Sequence, residues 1–189
     1  MKPEPLKFLG GYPATTLEQV QGLLAQGTLG ELLRKKYPSA HEVRTDRALY
    51  DYVNALRLEH LRGGEPVGKV LFDSKLQIIT HALGTHTTVS RVQGNKLLAK
   101  REIRVASLFK EVPIEFLRMI CVHELAHTKE REHDKAFYRL CTYMEPQYHQ
   151  LEFDLRLWLT AQELEGPAST AASYIAPVAQ NRSPNKDSA

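Results

Sequence analysis

Apolar positions recur along this chain with two periods, and the places where the period changes mark out its elements. Leu17, Val20, Leu23 and Leu24 fall on one helical face, as do Leu49, Tyr52, Val53 and Leu56. Thr15 with Glu18 matches a capping box for the first helix, and Thr45 can cap the other. Gly27 and Gly30 interrupt the first stripe, which leaves a short helix over Glu31 to Lys36 before Pro38. Gly63-Gly64 closes the later one. From Val67 the segments become short and rich in β-branched residues: Val70 to Phe72, Leu76 to Thr80, Thr85 to Val92 and Leu97 to Val105. Asp73-Ser74, Gly84 and Gly94-Asn95 punctuate them, and together they predict a meander of three to four antiparallel strands. The helical period then returns three times. Ile114, Leu117, Ile120, Cys121 and Leu125 follow Pro113, which suits a first helical position. Ala136, Phe137, Leu140, Cys141 and Met144 follow Asp134, a good N-cap, and Leu151, Leu155, Trp158 and Leu159 make the last stripe.

The most informative stretch lies inside the Pro113 helix: His123-Glu124-Leu125-Ala126-His127, an HExxH pattern. Two imidazoles one helical turn apart lie about 6 Å from each other along the axis and can bind one cation, with the intervening Glu placed to handle a water beside it. A catalytic zinc has three protein ligands as a rule, so a third is needed. His133 is the first candidate. A straight helix would carry it about 15 Å from His123, so the helix must break between His127 and His133. The run Thr128-Lys129-Glu130-Arg131-Glu132 is free of apolar residues, as a solvated turn would be. Glu145 and Glu152 are the alternative third ligands. A structural site would need a fourth protein ligand, another His such as His86 or His149, or a carboxylate. Tyr138, Tyr143 and Tyr148 lie close by in sequence, and one of them could donate to an oxyanion. Met144 belongs to a helix stripe and reads as core.

The segments Phe116 to Phe137, Met144 to Leu159, Gly84 to Gly94 and Glu102 to Ser107 together resemble the YgjP-like metallopeptidase-domain family. The likeness extends over about residues 5–165. The resemblance implies that His123, His127 and His133 hold zinc, one ion per chain, with Glu124 as catalytic base. It implies two activities: hydrolysis of a nucleoside triphosphate (UTP to UMP and diphosphate), or cleavage of peptide bonds by a small metallopeptidase. A non-catalytic structural zinc module is the third reading. With three neutral imidazoles, zinc would bring a bound water's pKa towards about 7, and Glu124 would take the proton. Cobalt, nickel or manganese could occupy the same donors.

The order of elements suits an α+β, zincin-like fold, mostly helical, with one small antiparallel sheet packed over the HExxH helix. A length of 189 residues suits one domain, expected over 1–165, and the Ala-, Ser-, Pro- and Asn-rich 166–189 reads as a disordered tail. No apolar run is long enough to span a membrane, and the start lacks a signal core, so the expected location is cytoplasmic. Two cysteines make no disulfide framework; Cys121 and Cys141 fall on apolar stripes and read as buried thiols. A net charge of +3 is too small to argue for nucleic acid. Arg91, Lys96, Lys100, Arg101 and Arg104 nevertheless cluster just before the metal helix. Of these, Arg91, Lys100, Arg101 and Arg104 are the candidate contacts for a nucleotide's phosphates. No GxxxxGK[ST] loop is present. The expected partner is a small nucleotide or peptide substrate, not a membrane.

Overall fold

A computed structural model describes residues 6–61, 66–76 and 102–165. Six helices and two strands are seen there: α1 (Ala14–Ala25), α2 (Leu29–Lys36), α3 (Asp46–His60), β1 (Lys69–Asp73), β2 (Glu102–Ala106), a 3-10 turn (Ser107–Lys110), α4 (Ile114–Ala126), α5 (Lys135–Met144) and α6 (Tyr148–Glu165).

Helix α4 is the axis of the molecule. Nine of its residues are buried: Phe116, Leu117, Met119, Ile120, Cys121, Val122, His123, Leu125 and Ala126. A helix apolar on every side must be covered on every side, and α3, α5, α6, β2 and the 3-10 turn all pack on it. Phe116 anchors the packing, with the Tyr37 ring 4.7 Å away and the Trp158 ring 6.2 Å away. Asp154 of α6, only 3% exposed, ties in α2. It accepts from the Tyr37 hydroxyl and the Lys36 ammonium, and from Gln150 Nε2 at 3.0 Å. The two cysteines are free and buried, as their stripes require; burial pushes the Cys141 thiol up to about 12.

The sheet corrects the expected meander. β1 and β2 pair in parallel, with Lys69 opposite Glu102 and Asp73 opposite Ala106. Val70, Phe72, Ile103 and Val105 turn to the core in alternation. Parallel neighbours cannot be joined by a tight turn and need a crossover of about a dozen residues or more, so β1 and β2 are not successive members of an antiparallel ladder. Nearly all of Leu76 to Thr80, all of Thr85 to Val92 and the start of Leu97 to Val105 lie outside the described residues, as do the tail and Gly63-Gly64. β2 packs on α4 and β1 on α3. Asp46, in the first turn of α3, accepts from the Phe72 backbone N–H at 2.9 Å.

Three helix boundaries also differ from expectation. α1 begins behind Pro13 with no side-chain cap, so Thr15 and Glu18 lie inside the helix and form no capping box. Gly27, at φ +67°, ends the pair's first member in the left-handed region that glycine alone adopts freely. Gly30 is a buried residue within α2, not a break. Thr45 caps α3 as expected, accepting from the Ala48 N–H at 3.2 Å. Pro113 stands one residue earlier than expected, at the N-cap of α4. Among the described residues no helix is long and apolar enough to cross a membrane.

Candidate metal centre

The last turn of α4 carries His123 and Glu124, and His127 is the helix's C-cap. The chain breaks immediately afterwards. The Lys129 and Glu130 N–H groups both reach the Ala126 carbonyl at 2.9 Å, and the Thr128 hydroxyl donates to the Leu125 carbonyl at 2.6 Å. Carbonyls that a helix end leaves open are thereby satisfied without a glycine. His127 joins the turn: its Nδ1 lies 3.0 Å from the Glu130 carbonyl. A carbonyl only accepts, so Nδ1 carries the proton and Nε2 presents a bare lone pair. Asp134 then opens α5, its Oδ1 accepting from the Ala136 N–H at 2.9 Å and the Phe137 N–H at 3.0 Å. His133 stands directly before that cap, so the start of α5 fixes where its ring can go.

The three rings converge. The Nε2 atoms of His123 and His127 are 3.2 Å apart, those of His127 and His133 are 3.1 Å apart, and those of His123 and His133 are 3.1 Å apart. Neutral imidazoles that present lone pairs to one another at this range repel, unless a cation sits among them. Tetrahedral bonds of about 2.0–2.1 Å to zinc would space neighbouring nitrogens about 3.3–3.4 Å apart. The triangle matches one face of that tetrahedron to within a few tenths of an ångström, so these residues fit a divalent ion. Among the described residues they are the one such gathering of His, Cys, Asp or Glu.

The surroundings favour the neutral form of His123 and His127. Burial, and then the neighbouring His127 and His133, hold the His123 imidazole well below its ordinary range. Burial also lowers His127, opposed by the Glu130 carbonyl and the charge of Glu132. The fully buried Phe137 ring lies against all three imidazoles, 4.9 Å from His123, 4.5 Å from His127 and 4.7 Å from His133. His123 Nδ1 lies 2.7 Å from the Tyr148 hydroxyl. Glu124 is half-buried, and loss of hydration pushes its carboxyl up to about 7.

The other candidates go elsewhere. Glu145 takes the Arg118 guanidinium at 2.6 Å, and Glu152 takes Arg156 at 2.8 Å. Both carboxylates are thus held in ion pairs and stand outside the trio. His149 is exposed, its ring 5.3 Å from that of Tyr138 and 5.4 Å from that of Tyr148; it too stands outside the trio. Arg104 on β2 pairs with Asp73 at 2.9 Å and Glu102 at 2.6 Å. Arg91, Lys96, Lys100, Arg101 and His86 lie outside the described residues. Tyr143 is 63% exposed and meets the His60 ring edge-on, while Met144 is core. The sequence reading did not foresee the triple contact of Phe137 or the engagement of Tyr148 with His123. Two signals were present: Phe137 lies four residues after His133, and Tyr148 extends the Leu151–Leu155 stripe one turn backwards.

Residues 81–157 match the family model described as YgjP-like, metallopeptidase domain, a span that holds all three imidazoles and Glu124. A protein of Escherichia coli (strain K12) named UTP pyrophosphatase is 56% identical over 159 residues, which is 84% of this chain and 95% of that one. No solved structure matches. Identity of that height over that share of both chains means that this chain belongs to the YgjP-like metallopeptidase-domain family.

Proposed function

We propose that the chain is a zinc-dependent hydrolase that cleaves a nucleoside triphosphate, UTP to UMP and diphosphate. The observation that carries this is the closed triangle of imidazole nitrogens, with Glu124 in the same last turn of α4 as His123. The substrate comes from the relative named UTP pyrophosphatase, of which the match covers 95%. His123, His127 and His133 would hold the ion. A divalent cation there supplies a Lewis acid that polarises water and a phosphoryl oxygen. Among the described residues three donors gather, and a three-donor site would suit catalysis better than a closed four-ligand structural site.

Glu124 accepts the proton of the water as its oxygen bonds to the α-phosphorus. The bond from that phosphorus to the bridging oxygen breaks, diphosphate leaves, and Glu124 returns the proton to it. A carboxyl raised towards neutrality suits both halves of this exchange. Arg91, Lys100 and Arg101 are the proposed phosphate contacts; Arg104, already neutralised by Asp73 and Glu102, contributes less. The helices gathered on α4, with a small sheet against it, are in keeping with a zincin-like fold in one domain over 1–165. Two free, buried thiols suit a reducing compartment, and the cytoplasm is the proposed location.

The family model's description favours a second reading, a small zinc metallopeptidase. One assay separates the two. Zinc-loaded protein given UTP should release diphosphate, and Glu124→Gln should abolish this while still binding zinc. Cleavage of unfolded casein with the same dependence on Glu124, and no action on UTP, would replace the first reading by the second. Inactivity on both would overturn the enzyme reading.

A further inference from the structure

We propose that Tyr148 is a positioning residue for the metal centre: its hydroxyl fixes the tautomer and orientation of His123. The inference rests on the reading of His123 as a metal ligand. His123 has two ring nitrogens with different tasks. Nε2 faces the nitrogens of His127 and His133 and must present a lone pair. Its proton therefore belongs on Nδ1, inside the protein, where it needs an acceptor. Nδ1 lies 2.7 Å from Tyr148 Oη. Tyr148 is 1% exposed and His123 4%, so little water reaches either group.

While Nε2 serves a metal, the proton stays on Nδ1 and Tyr148 Oη is the group that accepts its hydrogen bond. His127 is served differently, by the Glu130 carbonyl at 3.0 Å. Both partners are neutral. A carboxylate in either place would make the imidazole more basic and blunt the ion's acidity; a phenol or a carbonyl fixes the ring without adding negative charge.

Burial makes the requirement strict. In Tyr148→Phe the ring volume stays, but the Nδ1–H loses its acceptor. The ring then relieves itself by moving the proton to Nε2, where the metal should be. Partners of this kind contribute about 10–100-fold to metal affinity, and a loss in that range is the expected effect.

The test reads the protein without substrate, so it does not depend on which bond the enzyme cleaves. Nitrogen-15 NMR of the metal-free wild type should show His123 with its proton on Nδ1. In Tyr148→Phe the ring should shift toward the Nε2–H form. Competition with a chromophoric chelator should show zinc bound about 10–100-fold more weakly by Tyr148→Phe, while circular dichroism shows the fold intact. A variant that is less stable but keeps wild-type zinc affinity would overturn the proposal, because Tyr148 would then be packing alone. An Nε2–H tautomer in the wild type would overturn it independently of any variant. If the wild type binds no metal, the ligand reading of the trio falls with it.

Discussion

Glu124 is a carboxylate that the fold holds at a cost, and the cost is measurable without any substrate. Its folded carboxyl sits at about 7, against an ordinary value of 4.5, because burial disfavours the charged form. A shift of that size corresponds to about 3 kcal/mol of instability in the ionised state. Glu124 is only half-buried, so hydration of its open edge trims the figure to about 2 kcal/mol. The sign follows from linkage. The raised folded pKa means that the neutral carboxyl's contribution is complete below 4.5 and is lost as pH rises through about 7. Glu124→Gln replaces the group by a neutral isostere that never ionises. In metal-free protein the variant should therefore match the wild type near pH 4.5 and exceed it near pH 8 by about 2 kcal/mol, or about 4–8 °C in melting temperature for a chain of this size. Paired thermal melts from pH 4.5 to 8.5, in chelator, measure this directly, because every other titrating group is common to the two proteins. Zinc should shrink the difference, since a nearby dication favours the carboxylate. A gap that is independent of pH, or a wild type more stable than the variant at pH 8, would refute the reasoning.

Asp134→Ala should cost about 1 kcal/mol through loss of the α5 cap, read by denaturant unfolding, and should weaken zinc binding as well because His133 hangs from that cap, read by calorimetric titration. Asp154→Ala should cost about 2–4 kcal/mol in denaturant unfolding, because the buried Tyr37 hydroxyl loses its acceptor and Lys36 its partner. His41, 6% exposed, accepts from the Val43 N–H through Nδ1 at 3.1 Å and donates through Nε2 to the Phe109 carbonyl at 3.0 Å. Burial depresses its folded pKa, so the unfolded chain takes up the proton first and stability falls as pH drops below about 6.5. That slope should be missing from His41→Gln.

Helices whose stripes were long and whose caps were explicit could be read from the sequence. Thr45 and Asp134 accept the backbone hydrogen bonds expected of them, and the break after His127 follows from helix geometry once His133 must meet His123. The first helix was misjudged at its start because a capping box is a local pattern, and Pro13 competes for the same end. Gly30 reads as a breaker in the sequence because spacing alone does not show that it is buried inside α2. The sheet was misread for a deeper reason. Strand pairing is a long-range choice, and alternation in Lys69–Asp73 and Glu102–Ala106 is the same whether their partners run parallel or antiparallel. At the site, motif spacing named the three imidazoles and Glu124. Their support was harder to see, because Phe137 and Tyr148 read as ordinary core stripe until the rings are placed beside them.

X-ray absorption of the zinc-loaded protein tests the central claim most directly, read beside metal stoichiometry for wild type and His133→Ala. The account predicts one ion per chain, three imidazole nitrogens at about 2.0–2.1 Å plus one oxygen donor, and loss of one imidazole with much weaker binding in the variant. Zinc bound through other ligands, or a His133→Ala protein with wild-type affinity and an unchanged spectrum, would contradict it.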